Sequence, residues 1–171
     1  MGFPFYFKMI IGNGDIGGML NDREGFVFFA SGVSNSRETK EKEFTRERNL
    51  LLVQPRAFTL VYFSSIGVLL DDPKYDTPYF RHKIEMEELV KRLFINYCII
   101  RIGNIDWGDN PNTFINAIRE TKKQGVAVDY RNELKYVSSR ENLLLITDNI
   151  PRKGRNEICI FGKIGQPKVF I

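Results

Sequence analysis

Short apolar runs alternate with amphipathic stretches along the chain. Continuous apolar runs between turn signals are typical of strands buried in a sheet. The predicted strands cover residues 6–11, 26–29, 59–63, 97–102, 126–128, 157–161 and 168–171. The predicted helices cover residues 15–23, 37–52, 78–94, 112–123 and 139–147. Strands that alternate with helices predict an α/β fold, in which a doubly wound, mostly parallel sheet is covered on both faces.

The size and composition of the chain are those of a folded globular domain, with 171 residues, 43% hydrophobic and 27% charged. They exclude a disordered chain, a collagen and a small disulfide-stapled scaffold. We expect a core over residues 1–103 and a small C-terminal lobe over 104–171. No apolar run reaches the ~20 residues of a membrane span, and the N-terminus lacks signal-peptide features. Cys98 and Cys159 are predicted to be buried, reduced thiols, which indicates a cytoplasmic protein.

The net charge of +4 is mild and is not collected into one stripe. It suits an anionic small molecule, and it would support only weak, unspecific contact with nucleic acid. Residues 37–43 alternate in sign, which is typical of a solvated helix face. We therefore expect a small-molecule ligand, and neither a nucleic-acid nor a membrane partner.

A glycine-rich turn follows the first predicted strand and opens the first predicted helix. It consists of Gly12, Asn13, Gly14, Asp15, Ile16 and Gly17, with Gly18 behind it. In the pattern G-x-G-x-x-G the first glycine makes a tight turn, the second lets the backbone approach a pyrophosphate, and the third lets the helix pack closely. The phosphates then lie at the helix N-terminus. This predicts a dinucleotide site, the alternative being a turn that binds nothing; a P-loop is excluded because no Gly-Lys-Ser/Thr follows.

A second group of polar residues follows the third predicted strand. Ser64 and Ser65 end that strand, and Tyr79 and Lys83 lie four residues apart on one face of the next helix. A lysine ammonium there is expected to lower the pKa of the tyrosine phenol from about 10 towards working pH. The phenol can then exchange a proton with a substrate oxygen during hydride transfer, while a serine hydroxyl holds that oxygen. The spacing Y-x-x-x-K is common in helices, so the prediction depends on its place after the glycine turn.

These motifs resemble those of the extended short-chain dehydrogenase/reductase superfamily, in its NAD-dependent epimerase/dehydratase branch. The matching segments, in the family's order, are residues 12–18, 28–34, 61–65, 79–83, 100–108 and 136–143. The resemblance implies a shortened Rossmann-like fold and activity on a nucleotide-sugar-like substrate.

The resemblance also implies a role for each site residue. Ser65, Tyr79 and Lys83 take the positions of the catalytic triad, and Lys83 also holds the nicotinamide ribose. The residues expected to bind the cofactor are Gly12, Asn13, Gly14, Asp15, Ile16, Gly17, Ala30, Ser31, Gly32, Ser64, Tyr79, Lys83 and Asn104. The implied cofactor is NAD or NADP, with NAD preferred.

The chain departs from the family pattern before Phe26, where members have their second and third strands. Because these strands are missing, we expect the first strand at the sheet edge, in the family's strand order 1-4-5-6. An exposed apolar edge favours aggregation, so residues 3–7 or a partner subunit should cover it.

The family's acidic residue for the ribose hydroxyls of the adenosine is also missing. Ser31, Gly32 and Ser34 occupy the expected place. In an alternative alignment, residues 26–30 are the family's second strand and Arg37 binds a 2′-phosphate. NADP therefore stays open beside NAD.

His82 is the only histidine of the chain. By helix geometry it faces away from Tyr79 and Lys83, so we expect it on the surface. With a single histidine and no C-x-x-C pair, no metal site is expected.

The resemblance also allows a homodimer, because family members often pair the helix that carries tyrosine and lysine, and the preceding helix, in a four-helix bundle. The residues that could form the apolar stripe, or pack in the domain core, are Phe44, Leu51, Leu89 and Leu93.

The preferred interpretation is an NAD(P)-dependent epimerase, dehydratase or reductase that uses Ser65, Tyr79 and Lys83. The alternative is a non-catalytic Rossmann-fold binding or interaction module with weak or no cofactor affinity. The retained triad favours the enzyme, and the lost adenosine half favours the module.

Overall fold

A computed structural model describes residues 9–125 and 134–166 of the protein. The main sheet of these residues has five parallel strands, in the spatial order β1 (Ile10–Ile11), β2 (Phe26–Phe29), β3 (Thr59–Ser65), β4 (Tyr97–Ile102) and β7 (Arg155–Ile160). A second sheet contains β5 (Asn104–Ile105), β6 (Lys135–Ser138) and β8 (Lys163–Gly165). The helices are α1 (Glu41–Leu52), α2 (Pro78–Leu93), α3 (Phe114–Lys123) and α4 (Arg140–Asn149). This is a shortened, Rossmann-like α/β fold, as the sequence pattern predicts.

The side chains of β2 alternate between the two faces of the main sheet. Val27 shares a buried cluster with Leu51 of α1 and Val90 of α2. Phe28 shares the cluster on the other face with Leu143 of α4. Because both faces are covered by helices, the strands are continuous apolar runs.

The start of α2 is determined by its capping residues. The Thr77 hydroxyl accepts a hydrogen bond from the backbone N–H of Phe80 (3.4 Å), and Pro78 occupies the first turn, where no intrahelical N–H bond is lost. This start places Tyr79 and Lys83 in the first two turns, beside the carboxyl end of β3.

The prediction of a helix over residues 15–23 is wrong. A single 3₁₀ turn, Gly17–Met19, is the only helical element between β1 and β2. Adjacent glycines disfavour a helix, and residues 12–25 return the chain directly to β2, which pairs with β1.

The edge position of β1 confirms the predicted strand order within the described residues. The order β1-β2-β3-β4 corresponds to 1-4-5-6 in the family, and residues 12–25 contain no strand. Residues 3–7 and the predicted strands at 126–128 and 168–171 lie outside the described residues.

The C-terminal segment contributes to both sheets. It supplies β7 to the main sheet and all strands of the second sheet. The division at residue 103 stays a prediction. Strand β7, from the part after residue 103, pairs with β4, from the part before it.

The residues predicted as a dimer stripe pack inside the domain. Leu51 and Leu89 are buried in one cluster, against which Leu93 packs partly buried. Phe44 is buried in a separate cluster with Tyr79 and Phe80. These side chains pack inside the domain, so they do not form a surface stripe.

Both cysteines are free thiols, Cys98 buried and Cys159 half-buried. Burial raises the pKa of the Cys98 thiol to about 12, so Cys98 is unreactive. None of the helices in the described residues has the length and apolar character needed to cross a membrane.

Candidate active site

A cleft of about 780 Å³ opens at the carboxyl ends of strands β1 to β4, which is where ligands bind in doubly wound sheets. It is lined by these site residues predicted from the sequence: Gly12, Asn13, Gly14, Asp15, Ile16, Ala30, Ser31, Gly32, Ser64, Ser65, Tyr79, Lys83 and Asn104. Gly17 lies behind the lining, buried under the turn. The fold thus brings together motifs that are far apart in the chain.

Two glycines of the turn are required by close backbone packing. Gly12 has φ +112°, and a Cβ there would lie 2.5 Å from the carbonyl oxygen of Ala30. A Cβ on Gly17 would lie 2.5 Å from the carbonyl oxygen of Gly12. Gly14 is different, because a Cβ there would meet nothing within 4 Å. The turn is therefore held by its first and third glycines, and its second faces open space in the cleft.

The turn is not followed by the expected helix, so a helix N-terminus does not supply the phosphate site. The backbone of the turn is closed instead by two short-range hydrogen bonds, from Gly18 N to Gly14 O (2.8 Å) and from Met19 N to Ile16 O (3.2 Å). Residues 12–16 line the cleft.

A second loop is tied to the glycine turn through Asp15. The Asp15 carboxylate accepts hydrogen bonds from the backbone N–H groups of Asp109 and Asn110 (3.2 Å each). Trp107 Nε1 donates to the Asp15 carbonyl oxygen (3.1 Å). Gly108, at φ +83°, packs against the Asp15 carboxylate. Sequence reasoning placed Asp15 in the cofactor site but missed its link to this loop.

The two serines at the end of β3 have different environments. Ser65 Oγ accepts a hydrogen bond from the backbone N–H of Gly67 (3.2 Å) and caps a short 3₁₀ helix. Ser64 Oγ is buried and has no hydrogen-bond partner in the described part of the chain. The sequence assigned the substrate hydroxyl to Ser65, whereas the unpaired hydroxyl belongs to Ser64.

Tyr79 and Lys83 lie at the floor of the cleft, 9% and 2% exposed. Lys83 Nζ is 5.8 Å from the centroid of the Tyr79 ring. Burial raises the pKa of Tyr79 above its ordinary value; the Lys83 charge opposes this and the Glu47 charge adds to it. The expected lowering of this pKa is therefore wrong in direction, because the ring is desolvated and the lysine charge is shared with a carboxylate.

That carboxylate is Glu47 of α1, which is fully buried. Glu47 Oε1 accepts hydrogen bonds from Lys83 Nζ (3.1 Å) and the Tyr62 hydroxyl (2.7 Å). Glu47 Oε2 accepts one from the backbone N–H of Val33 (2.7 Å) and lies 3.1 Å from His82 Nε2. Glu47, Tyr62, His82 and Lys83 are called the Glu47 cluster below.

The prediction that His82 lies on the surface is wrong, since only 3% of it is exposed. Tyr79 and His82 are three residues apart, and residues at this spacing lie on the same face of a helix. The sequence therefore already indicated that His82 lies on the same side of α2 as Tyr79. Glu47 had no such signal, because it lies in a stretch rich in both charges that is typical of a solvated face.

The mouth of the cleft carries several basic side chains. They are Arg37, Arg46, Lys74 and Lys135. Arg46 Nη1 donates to the carbonyl oxygen and the hydroxyl of Ser31 (3.1 and 3.2 Å). Arg37, the residue considered for a 2′-phosphate, is part of this lining. A mouth of this charge favours an anionic ligand.

Asn104 links the cleft to the second sheet. Its Nδ2 donates to the carbonyl oxygen of Tyr136 (3.1 Å). Among the residues that the structure describes, no three His, Cys, Asp or Glu side chains meet in a way that could hold a metal ion.

No family model matches the chain, and no curated protein is similar to it in sequence. Solved structures share its fold. UDP-glucuronic acid 4-epimerase from Bacillus cereus, in complex with UDP-glucuronic acid and NAD, has a TM-score of 0.63 and 12% identity over 84% of this chain. ADP-L-glycero-D-manno-heptose-6-epimerase from Helicobacter pylori has a TM-score of 0.62 and 15% identity over 86% of this chain. UDP-glucose 4-epimerase from Thermus thermophilus, in complex with NAD, has a TM-score of 0.65 and 12% identity over 85% of this chain.

These similarities cover 56%, 56% and 59% of the three neighbours, respectively. The chain thus spans little more than half of the structures that it resembles. At these identities the similarity concerns the fold.

Proposed function

We propose that the protein is an NAD(P)-dependent enzyme of the epimerase, dehydratase or reductase kind, acting on a nucleotide-sugar-like substrate. The main observation in support of this proposal is that the glycine turn and the residues Ser65, Tyr79 and Lys83 line one cleft at the carboxyl ends of parallel strands. The neighbours in complex with NAD or with a UDP-sugar support the same class of ligand.

The residues of the cleft fit the nicotinamide and pyrophosphate parts of such a cofactor. Gly14 leaves space for a close approach to the turn backbone. Ser64 presents a buried hydroxyl without a partner in the described residues, and such a group favours a ligand that hydrogen-bonds to it. A bound nicotinamide supplies hydride transfer, and the basic mouth of the cleft suits the pyrophosphate.

The protein's own residues take the following roles. The raised pKa of Tyr79 keeps its phenol protonated at neutral pH, as an ordinary phenol also is. Tyr79 therefore starts as the proton donor to a substrate carbonyl oxygen, which corresponds to the reducing direction of the reaction. Lys83 holds the ribose and stabilises the phenolate that remains after the proton has left. Ser65 or Ser64 hydrogen-bonds the substrate oxygen.

The second candidate is a non-catalytic binding module. Two observations favour it: the Lys83 charge is shared with Glu47, at 3.1 Å, and the helix expected after the glycine turn is absent from residues 15–23. In this case the cleft binds a small anionic ligand without turnover.

Titration with NADH and NADPH, followed by nicotinamide fluorescence and calorimetry, separates the two candidates. The enzyme proposal expects saturable binding of one of them, and oxidation of that reduced cofactor when nucleotide sugars that carry a carbonyl group are added. Absence of binding for both cofactors contradicts the enzyme proposal. Weak or absent cofactor binding, together with no turnover on a broad nucleotide-sugar panel, favours the module.

A further inference from the structure

The Glu47 cluster is a buried charged group that the proposed roles of Ser65, Tyr79 and Lys83 do not explain. A carboxylate taken out of water is strongly unfavourable unless charges and hydrogen bonds replace the water. Here both carboxylate oxygens of Glu47 are bonded, one to Lys83 and Tyr62 and the other to Val33 N and His82. Such complete pairing indicates that the carboxylate is ionised in the folded protein.

The cluster lies directly under the loop that follows β2. A Cβ on Gly32 would lie 2.7 Å from Lys83 Nζ and 3.0 Å from Glu47 Oε1, so the loop backbone packs on the ion pair. The adjacent residue of α1, Arg46, holds Ser31. Consecutive residues of α1 therefore hold the loop and the lysine together.

The contacts of Lys83 leave it one donor for a ligand. A lysine ammonium has three N–H donors, and two of them contact Glu47 Oε1 and the Tyr62 hydroxyl (3.1 Å each). Lys83 also lines the cleft. The Glu47 and Tyr62 contacts fix the direction of the third N–H.

We propose that Glu47 is a positioning residue. It holds the Lys83 ammonium so that the remaining N–H of Lys83 points towards the ligand in the cleft. This deepens the proposed function and rests on it. Tyr62 and His82 support the carboxylate from β3 and α2. Burial of the Tyr79 ring, with a smaller contribution from the Glu47 charge, outweighs the Lys83 charge and raises the pKa of Tyr79 above its ordinary value.

The titratable groups around Lys83 come from three elements. They are Glu47 on α1, Tyr62 on β3, and Tyr79 and His82 on α2. Burial, followed by the Glu47 charge, raises the pKa of Tyr62, so Tyr62 stays a neutral donor. Glu47 is thus the anionic partner of Lys83 within this group.

The first test needs no ligand. The full chain is labelled with ¹⁵N-lysine, the Lys83 Nζ signal is assigned with Lys83→Met, and Glu47→Gln is compared with Glu41→Gln. Glu41 is on the same helix and exposed, so its variant removes the same charge without touching the cluster. We expect Glu47→Gln to shift or abolish the Lys83 signal and Glu41→Gln to leave it in place. An unchanged Lys83 signal in a folded Glu47→Gln protein overturns the proposal.

The second test measures NADH or NADPH affinity in a double-mutant cycle. In the presence of Lys83, Glu47→Gln should weaken binding by roughly ten- to a hundredfold, the range of a charged hydrogen bond. In the Lys83→Met background the same change should have little effect. Equal weakening in both backgrounds assigns Glu47 a general structural role and overturns the proposal.

A shorter carboxylate covers the case in which Glu47→Gln does not fold. Glu47→Asp keeps the carboxylate charge but places it one methylene further from Lys83. It should therefore shift the Lys83 Nζ signal and weaken cofactor binding, while Lys83 itself stays charged. An unmoved signal with full affinity contradicts a positioning role. If the unmodified protein binds neither cofactor, the proposed function fails, and the NMR comparison still decides the role of Glu47.

Discussion

The charge and hydrogen bonding of single residues determine what the cleft can do. Tyr79 is desolvated, Lys83 is paired with Glu47, and Ser65 caps a helix. Ser64 offers a hydroxyl without a partner in the described residues. The two serines are adjacent and chemically identical, yet only one of them is paired, so residue type alone does not define a role.

Tyr79→Phe tests proton transfer, because it removes one oxygen and keeps the ring packing. We expect the fold to survive and turnover to fall by about 10²–10⁴. Lys83→Met should reduce both turnover and cofactor affinity, whereas Ser65→Ala should reduce turnover alone. Tyr97→Phe, in the buried strand β4, is the matched control and should stay active. Full activity of Tyr79→Phe on a substrate found by screening contradicts the triad.

Gly14→Val tests the cofactor site, because its side chain would enter space that no protein atom occupies within 4 Å. We expect normal thermal unfolding and NADH affinity at least about tenfold weaker. Gly18→Val is the control, since Gly18 is exposed and lies outside the cleft lining. Equal affinity of the two variants would place the cofactor elsewhere.

Glu47 makes stability depend on acid pH. Burial raises its pKa, but Lys83, His82, Val33 N and Tyr62 outweigh burial and hold the pKa well below the ordinary value of 4.5. As pH falls below 4.5 the unfolded chain takes up a proton that the folded carboxylate does not, so the free energy of unfolding decreases.

This acid dependence is measured by urea unfolding between neutral pH and pH 3. In Glu47→Gln the slope below pH 4.5 should be shallower than in the unmodified protein by up to about 1.4 kcal/mol per pH unit. Glu41→Gln should keep the steeper slope. Identical slopes in all three proteins contradict the assignment.

At the scale of elements, one ionic network joins α2, β4 and β7. Arg101 of β4 contacts Glu87 of α2 through Nη2 (2.5 Å) and Nε (3.0 Å). Its Nη2 also contacts Glu157 of β7 (2.6 Å), which Lys91 approaches at 3.3 Å. Arg101 and Glu87 are buried. The network therefore connects α2, which carries Tyr79 and Lys83, to β4 and β7.

Arg101→Leu should destabilise the fold, because it leaves the buried Glu87 carboxylate without its main partner. We expect a loss of about 3–5 kcal/mol in the free energy of unfolding, largely recovered in the double variant Arg101→Leu, Glu87→Leu. The control Arg48→Leu breaks an exposed pair with Glu85 and should cost less than about 1 kcal/mol. Failure of the double variant to recover stability would show that the charges themselves are required.

At the scale of the whole molecule, the main sheet that the described residues form ends at β1. Residues 12–25 pass from β1 to β2 without the two strands that the family places there. The glycine turn is connected instead to the loop after β5, through Asp15, Trp107 and Asn110. Under the proposed function, we therefore expect the cleft to hold mainly the nicotinamide half of the cofactor.

Comparison of NADH with reduced nicotinamide mononucleotide tests this arrangement. Because no strands between β1 and β2 support an adenosine, we expect the two affinities to lie within about tenfold, that is, about 1.4 kcal/mol. Calorimetry or fluorescence on the full chain measures both. A mononucleotide affinity weaker by several orders of magnitude would require an adenosine site in this protein.

The assembly of the molecule stays a prediction. With Phe44, Leu51 and Leu89 in the core, a dimer through α1 and α2 has to use their outer faces, where Arg48, Ile84 and Glu85 lie.

The edge position of β1 was implied by the family resemblance, whereas the apolar runs and the turn residues between them were sufficient to predict the parallel α/β fold and the bounds of β2 and β4. This is because burial on both faces leaves a local pattern in the sequence. The family resemblance implied the set of distant site residues, and these residues line one cleft because the carboxyl ends of parallel strands meet at one edge.

Tertiary structure alone decided the electrostatics of the site. The Tyr79 pKa is raised first by burial of the ring. Lys83 and His82 are paired with Glu47, a residue of another helix with no distinctive local signal. Tertiary packing also replaced the predicted helix at 15–23 by a single turn. Hydrophobic periodicity reports which residues are buried, whereas desolvation and ion pairing depend on which charges the fold brings within a few ångströms of each other.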